Sequence, residues 1–567
     1  MKHLQKIARR HRALIAVYFL LGIICAFLGS FSARFFQKVV DRFADGTLTV
    51  SVVAVYGTAL ILNYIANYLE EYPARRLEHG FTLSLKTEAL KKVSVIDYLA
   101  YVKLGTGTLI QRIENGAAAG ANMLFGFWLR LSSELLPSMV FSIAFVYAIN
   151  RTVMAAILAG YLVVFLVTNL LLKALYRIKE GILVGEEAFN HTLVRGFMEM
   201  VVFRVNRRFG REIERAEGAA GEIVRGKAKM KMIHEAFFTI FAVLVGLFKI
   251  GIIVYGWRFH ALTIGEIVAL IALVDNAYTP VAIFNVLYID YKLDLVSFRR
   301  YAEFLDAAED SHLLTGGTLD EAPGAIVLRG VYFAYENRPI LEDFSLTIEK
   351  GRSLALVGES GSGKSTVVKL LAGLVHPASG AVELGGQNLD QVNLNSYYGR
   401  VAYLPQESSV FNGTLRENLA FDADIPDAGL IEALDGAGLL PLYEKLPDGL
   451  DTALGERGVT LSGGERQQLA LARLAFSPAD VVLFDEATSA IDNLTERAVM
   501  KTAMARLAGR TVVAVAHRLD SVKDFDEIVL MREGKIVERG NLDDLMRMRG
   551  AFRALYERMP RSLERRV

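Results

Sequence analysis

At 567 residues and 53% apolar, with a positive mean hydropathy, the chain is too long for one ordinary domain and too apolar for a typical soluble protein. A formal charge of +1 argues against a nucleic-acid binder, whose electrostatic footprint is a strong basic excess. The one cysteine, Cys25 inside an apolar run, excludes an intramolecular disulfide framework and a Cys-type metal cluster.

From the N-terminus, a basic stretch through Arg12 precedes an apolar run from Leu14 to about Phe35. The run is longer than the apolar region of a secretory signal and lacks a small-residue cleavage site, so it reads as a membrane helix. A span needs about 20 apolar residues to cross roughly 30 Å of hydrocarbon. Six stretches qualify: roughly 14–35, 52–70, 121–148, 153–175, 236–257 and 264–289.

The segments after the second and fourth spans are long, polar and basic, carrying Arg75, Arg76, Lys86, Lys91 and Lys92, then Lys179, Arg195, Arg204, Arg207 and Arg208. By the positive-inside rule they face the cytoplasm, as do both termini. Their length lets each membrane helix continue by about 20 residues, about 30 Å, before reversing. Within the spans, Arg130, Glu134, Lys249 and Asp275 should face the bundle or a wet cavity, because ionised groups at mid-bilayer are costly. Arg130 and Glu134 are spaced as an i, i+4 pair. Lys249 and Asp275 could pair with each other or line a substrate path; Asn285, Asp290 and Asp294 continue a polar face on the sixth span.

Asp306 to Pro323 is polar, has no apolar period and contains Gly316 and Gly317, so it reads as linker. This divides the chain into a membrane domain (1–305), a linker (306–324) and a second domain (325–567). In the second domain short apolar runs alternate with helical patterns, the signature of an α/β domain with buried strands.

After one such run comes Gly358-Glu-Ser-Gly361-Ser-Gly363-Lys364-Ser365, a phosphate-binding loop. Its glycines let backbone N–H groups approach phosphates at a helix N-terminus, Lys364 neutralises the terminal phosphates, and the Ser365 hydroxyl serves Mg²⁺. Thr366 follows on the same helix. About a hundred residues on lies Leu461-Ser462-Gly463-Gly464-Glu-Arg-Gln467. The strand Val481–Phe484 then ends in Asp485-Glu486, carboxylates at the strand end where parallel sheets bind ligands. Asp485 is expected to hold Mg²⁺ and Glu486 to act on the attacking water.

Together these motifs resemble the ABC transporters, specifically half-transporters of the exporter-type (type IV) fold: six long membrane helices followed by a P-loop ATP-binding cassette. The resemblance runs motif by motif through Ala325 to Met559 and is architectural before Leu305. It implies that Tyr335 stacks on adenine, that Gln406 senses Mg²⁺ and joins the catalytic set, and that His517 lies near the γ-phosphate. It implies that Ser462, Gly463 and Gly464 contact ATP bound to another protomer, that Glu456-Arg-Gly458 is a cross-talk element, and that short coupling helices lie near Tyr98–Gly107 and Val194–Met200. The chain departs from the family pattern at Gly116, Thr192 and Leu193, where acidic residues are common.

The implied protein is an ATPase using ATP and Mg²⁺, a homodimer or heterodimer in a bacterial inner membrane. It would move an amphipathic solute such as a lipid, drug or peptide, most simply outward. Import of a siderophore-like ligand is the alternative; nucleic acid is not an expected partner.

Overall fold

The computed structural model describes residues 1–313, 315–319, 324–421, 423–455, 459–516 and 522–558, apart from the side chains of a few stretches, chiefly 164–177. It divides into two compact units, Met1–Ser94 with Tyr101–Ala308, and Val95–Ala100 with Glu309–Val567.

The first unit is helical. After α1 (Lys2–Arg10) come α2 (Arg12–Ala44) and α3 (Val50–Val93); α4 (Tyr98–Leu104) is short. Then α5 (Thr106–Ala121) continues through two wide π-helical segments, Asn122–Leu129 and Leu131–Leu135, into α6 (Leu136–Ile149). The rest is α7 (Arg151–Met198), α8 (Met200–Val205), α9 (Phe209–Phe259) and α10 (Ile264–Leu305). At 44 residues, α3 is about 66 Å long, twice the hydrocarbon thickness, so its apolar start and polar end lie in different solvents.

Among the described residues, five helices are long and apolar enough to cross a membrane, and a sixth apolar stretch, Arg151–Val163, opens α7. The fourth expected span continues from there into 164–177, whose side chains are outside the description. Short turns join α2 to α3, α6 to α7 and α9 to α10. Asn150 caps α7 by accepting from Thr152 and Val153 N–H, and Thr263 with Glu266 forms a reciprocal capping box on α10, satisfying donors that a helix start leaves orphaned.

Several of the charges singled out in the membrane region are paired. Arg130 Nε lies 3.1 Å from Glu134 Oε2, on the π-helical stretch, and Tyr18 O–H donates to Glu134 at 2.5 Å. Of the two readings for Lys249 and Asp275, the structure has the pair, at 2.6 Å between α9 and α10. Asp290 pairs with Lys179; the side chain of Asn285 lies outside the description. Gly116 has a steric reason for departing from the family pattern. A Cβ there would come within 2.2 Å of Tyr301 Cβ, and Tyr301 is held by its O–H donated to Leu85 O at 2.6 Å.

Two local details differ from the sequence reading. Where a short coupling helix is expected near Val194–Met200, α7 runs on to Met198 and the short helix that follows is α8, Met200–Val205. A glycine such as Gly196 costs only about 1 kcal/mol in a helix, too little to end one; the break comes at Glu199. The stretch expected as plain linker contains a 3₁₀ turn, Ser311–Leu313, since Leu313 and Leu319 pack against the core of the second unit.

That unit carries β1 (Ile326–Tyr335), β2 (Arg338–Ile348), β3 (Ser353–Gly358), β4 (Ser379–Leu384), β5 (Gln387–Asn388), β6 (Val401–Leu404), β7 (Gly413–Thr414), β8 (Ala453–Leu454), β9 (Val481–Asp485), β10 (Thr511–Val515), β11 (Glu527–Arg532) and β12 (Lys535–Gly540). The main sheet runs β12-β11-β3-β10-β9-β6, parallel except for the β12 edge; an antiparallel sheet runs β2-β1-β4-β5. β3 is buried on both faces: Leu354 and Leu356 join Phe333, Leu346 and Val368, while Ala355 and Val357 join Leu471, Val482 and Val512. The period-2 alternation of a strand therefore feeds two cores, which explains its continuous apolar run. Tyr98 and Leu99 belong to this unit and pack on the first of these cores.

Candidate functional site

β3 ends at Gly358, whose φ is +147°; a Cβ there would stand 2.2 Å from Met531 O, so only glycine turns the chain at this point. The loop closes on Gly363, φ +99°, and the helix Lys364–Leu371 starts, aiming its free N–H groups at the loop. Lys364 is 4% exposed, and its ammonium donates to Gly358 O and Glu359 O, both at 2.9 Å. Burial lowers its pKa, while the nearby Glu486 and Asp485 carboxylates oppose the shift. Thr366 is buried at 6% exposure, and Ser365 is half-buried.

β9 delivers Asp485 and Glu486 at its carboxyl end. Asp485 is 5% exposed; its Oδ2 accepts from Tyr403 O–H at 3.3 Å, while Oδ1 is buried without a hydrogen-bond partner among the described residues, as is Ser362 Oγ. Such groups cost about 1–3 kcal/mol if left unsatisfied, so the pair fits a bound Mg-nucleotide, with the expected ligands Ser365, Gln406 and Asp485. Glu486 takes φ +56°, a left-handed conformation that costs a non-glycine residue of order 1–3 kcal/mol. Its Oε2 accepts from Gln406 Nε2 at 2.8 Å. Tyr335, at the end of β1, is half-buried with its ring edge-on to Phe333, centroids 4.9 Å apart.

The helix Gly463–Arg473 begins at Ser462 through a capping box with Glu465: Ser462 Oγ accepts from Glu465 N–H at 3.3 Å and Glu465 Oε2 from Ser462 N–H at 2.7 Å. A Cβ on Gly464 would stand 3.1 Å from Ala490 O, so the glycine keeps this loop against the turn after Glu486. His517 and the Glu456–Gly458 segment lie outside the described residues.

The sequence left two site residues without a role. Gln467, 4% exposed, donates through Nε2 to Gln406 O and Ser489 Oγ, both at 3.3 Å, and accepts from Ala490 N–H at 2.8 Å. It ties the helix Gly463–Arg473 to both neighbouring loops. Tyr403 is the hydroxyl on Asp485. A glutamine on the buried stripe of an amphipathic helix and a tyrosine in a core strand were the available signals.

Residues 341–489 match the ABC transporter family. The ATM1-type heavy metal exporter of Novosphingobium aromaticivorans is 25% identical over 545 residues, 92% of this chain and 88% of that protein. The ATP-dependent lipid A-core flippase of Haemophilus ducreyi is 38% identical over 260 residues, 45% of this chain and 44% of the flippase. Among solved structures, a bacterial Atm1-family ABC exporter with ATP bound superposes with a TM-score of 0.82 at 24% identity, covering 98% of this chain and 99% of that one.

Proposed function

We propose, from the premise that this chain is an ABC transporter with a membrane domain fused to one ATP-binding cassette, that two copies form an ATP-driven exporter of an amphipathic solute in a bacterial inner membrane. The observation that carries the reading is one chain combining membrane-length helices with a nucleotide site whose Asp485 Oδ1 and Ser362 Oγ lack partners among the described residues. A glycine-bordered loop and Lys364 bind the phosphates. Mg²⁺, when bound, supplies charge neutralisation at the transferring phosphate, held by Ser365, Asp485 and Gln406. Glu486 accepts a proton from the attacking water, and the resemblance of its motif assigns His517 a part at the γ-phosphate.

In this reading Ser462, Gly463 and Gly464 close on the partner copy's nucleotide. Ser462→Ala then cuts ATP turnover while nucleotide binding by a single copy persists. It also removes a cap contributing about 0.5–2 kcal/mol, so a small fall in melting temperature accompanies the loss. Normal turnover in that variant would refute the shared site.

For the cargo, α7, α9 and α10 border an apolar cleft of about 510 Å³ lined by Leu244, Phe248, Tyr255 and Tyr278, within the range of small-molecule sites. The paired charges Arg130–Glu134 and Lys179–Asp290 supply polar surface in the same unit. An amphipathic molecule suits that combination; the heavy-metal and lipid A names of the relatives are two chemistries to include. In inside-out vesicles the expected result is ATP-dependent accumulation of one member of a panel of lipids, dyes, peptides and glutathione-complexed metals, absent with Glu486→Gln. ATP-driven release of a preloaded siderophore instead would reverse the direction to import.

A further inference from the structure

Apart from the nucleotide site, the second unit holds a cluster of groups with metal-ligand chemistry. The 3₁₀ turn Ser311–Leu313 places His312 beside His376, which follows the helix Lys364–Leu371; the ring centroids are 4.3 Å apart at an interplanar angle of 34°. Asp310, with a side chain only 8% exposed, sets Oδ1 3.6 Å from His376 Nε2. One donor atom from each of Asp310, His312 and His376 lies within 4.8 Å of the others.

The second layer of contacts orients these donors. His376 Nδ1 lies 3.2 Å from Asp390 Oδ1, and His312 Nδ1 lies 3.1 Å from the Asp390 backbone carbonyl. Both oxygens only accept, so both histidines carry their proton on Nδ1 and each can offer an Nε2 lone pair. His376 Nε2 is buried and has no hydrogen-bond partner among the described residues. Imidazoles fixed through Nδ1 by a carboxylate or a backbone carbonyl are the arrangement that orients metal-binding histidines. One aspartate here serves two rings.

We propose that Asp310, His312 and His376 bind one divalent ion of the zinc class, with water as fourth ligand. Two imidazole nitrogens and one carboxylate favour Zn²⁺ or its analogues over Mg²⁺ or Ca²⁺, which take oxygen donors. Tetrahedral zinc needs donors roughly 3.4 Å apart, a contraction of at most about 1.4 Å from the present separation. The ion would pin the turn after α10 to the end of the phosphate-loop helix. Asp310 N–H also donates to Val95 O at 2.9 Å, so the Val95–Ala100 segment is held by the same turn. The ion serves the cassette as a staple; it is separate from the nucleotide's Mg²⁺ and from any transported cargo.

The test uses the full-length protein in detergent, stripped with chelator and titrated with Co²⁺. Expected is one Co²⁺ per chain with the visible absorption of a tetrahedral site, displaced by Zn²⁺. Binding weakens roughly tenfold or more in Asp390→Asn and is lost in the double variant His312→Gln/His376→Gln, while ATP binding persists in both. Absence of the tetrahedral spectrum, or unchanged affinity in folded variants, would overturn the assignment. Should the variants not fold, X-ray absorption on the zinc-loaded wild-type protein decides: two imidazole nitrogens with oxygen support the site, and an all-oxygen or sulfur-containing shell overturns it.

Discussion

Glu486→Gln binds ATP with wild-type affinity and hydrolyses it about 10²- to 10⁴-fold more slowly, the usual range for removing a positioned general base. The substitution keeps the shape of the site. The amide oxygen it introduces still accepts from Gln406 Nε2, the contact that Glu486 makes at 2.8 Å, and the strained backbone at φ +56° is unchanged. What disappears is the basic oxygen that takes a proton from water. Equilibrium binding of a fluorescent ATP analogue and steady-state phosphate release separate the two effects. Turnover within a few-fold of wild type would remove Glu486 from the base role and move attention to His517.

Lys364→Ala acts at the earlier step and weakens nucleotide binding roughly 30-fold or more, the equivalent of losing one partner of a buried charge pair at about 2–5 kcal/mol. The ammonium is held in advance by Gly358 O and Glu359 O, so it meets an incoming phosphate with little side-chain ordering left to do. Without it, Asp485 and Glu486, whose charges act on Lys364, stand against the phosphates with less opposing charge. Calorimetric titration with ATP and Mg²⁺ measures the loss. The contrast with Glu486→Gln is the informative part: one variant fails to bind, the other binds and does not turn over. Equal nucleotide affinity in Lys364→Ala and wild type would show that the loop amides alone carry phosphate recognition.

Much of the cassette was legible because its chemistry is written locally. A phosphate loop needs glycines, a lysine and a hydroxyl within eight consecutive residues, and a strand ending in Asp485-Glu486 declares its ligand-facing end. Gln467 was not legible, since its partners Gln406, Ser489 and Ala490 come from two other loops, and nothing in an amphipathic helix says which buried polar residue bridges them. The short helix after α7 starts at Met200 rather than near Val194, because helix ends without a strong breaker depend on small energy differences.

By itself the sequence determined the order of the parts: apolar stretches long enough for lipid, a polar connection, and a nucleotide-binding α/β unit with its phosphate-binding residues in register. Those follow from hydrophobic length, strand and helix periodicity and short motifs, all interactions between near neighbours. Tertiary structure decided which distant groups meet. It paired Lys249 with Asp275, set Gly116 against Tyr301 so that no acidic side chain fits, left Asp485 Oδ1 without a partner among the described residues, and gathered Asp310, His312 and His376 around Asp390. The physical reason is that such contacts depend on the packing of whole helices and sheets, where displacements of one or two ångströms decide between a salt bridge, a metal site and a clash, and no local spacing encodes them.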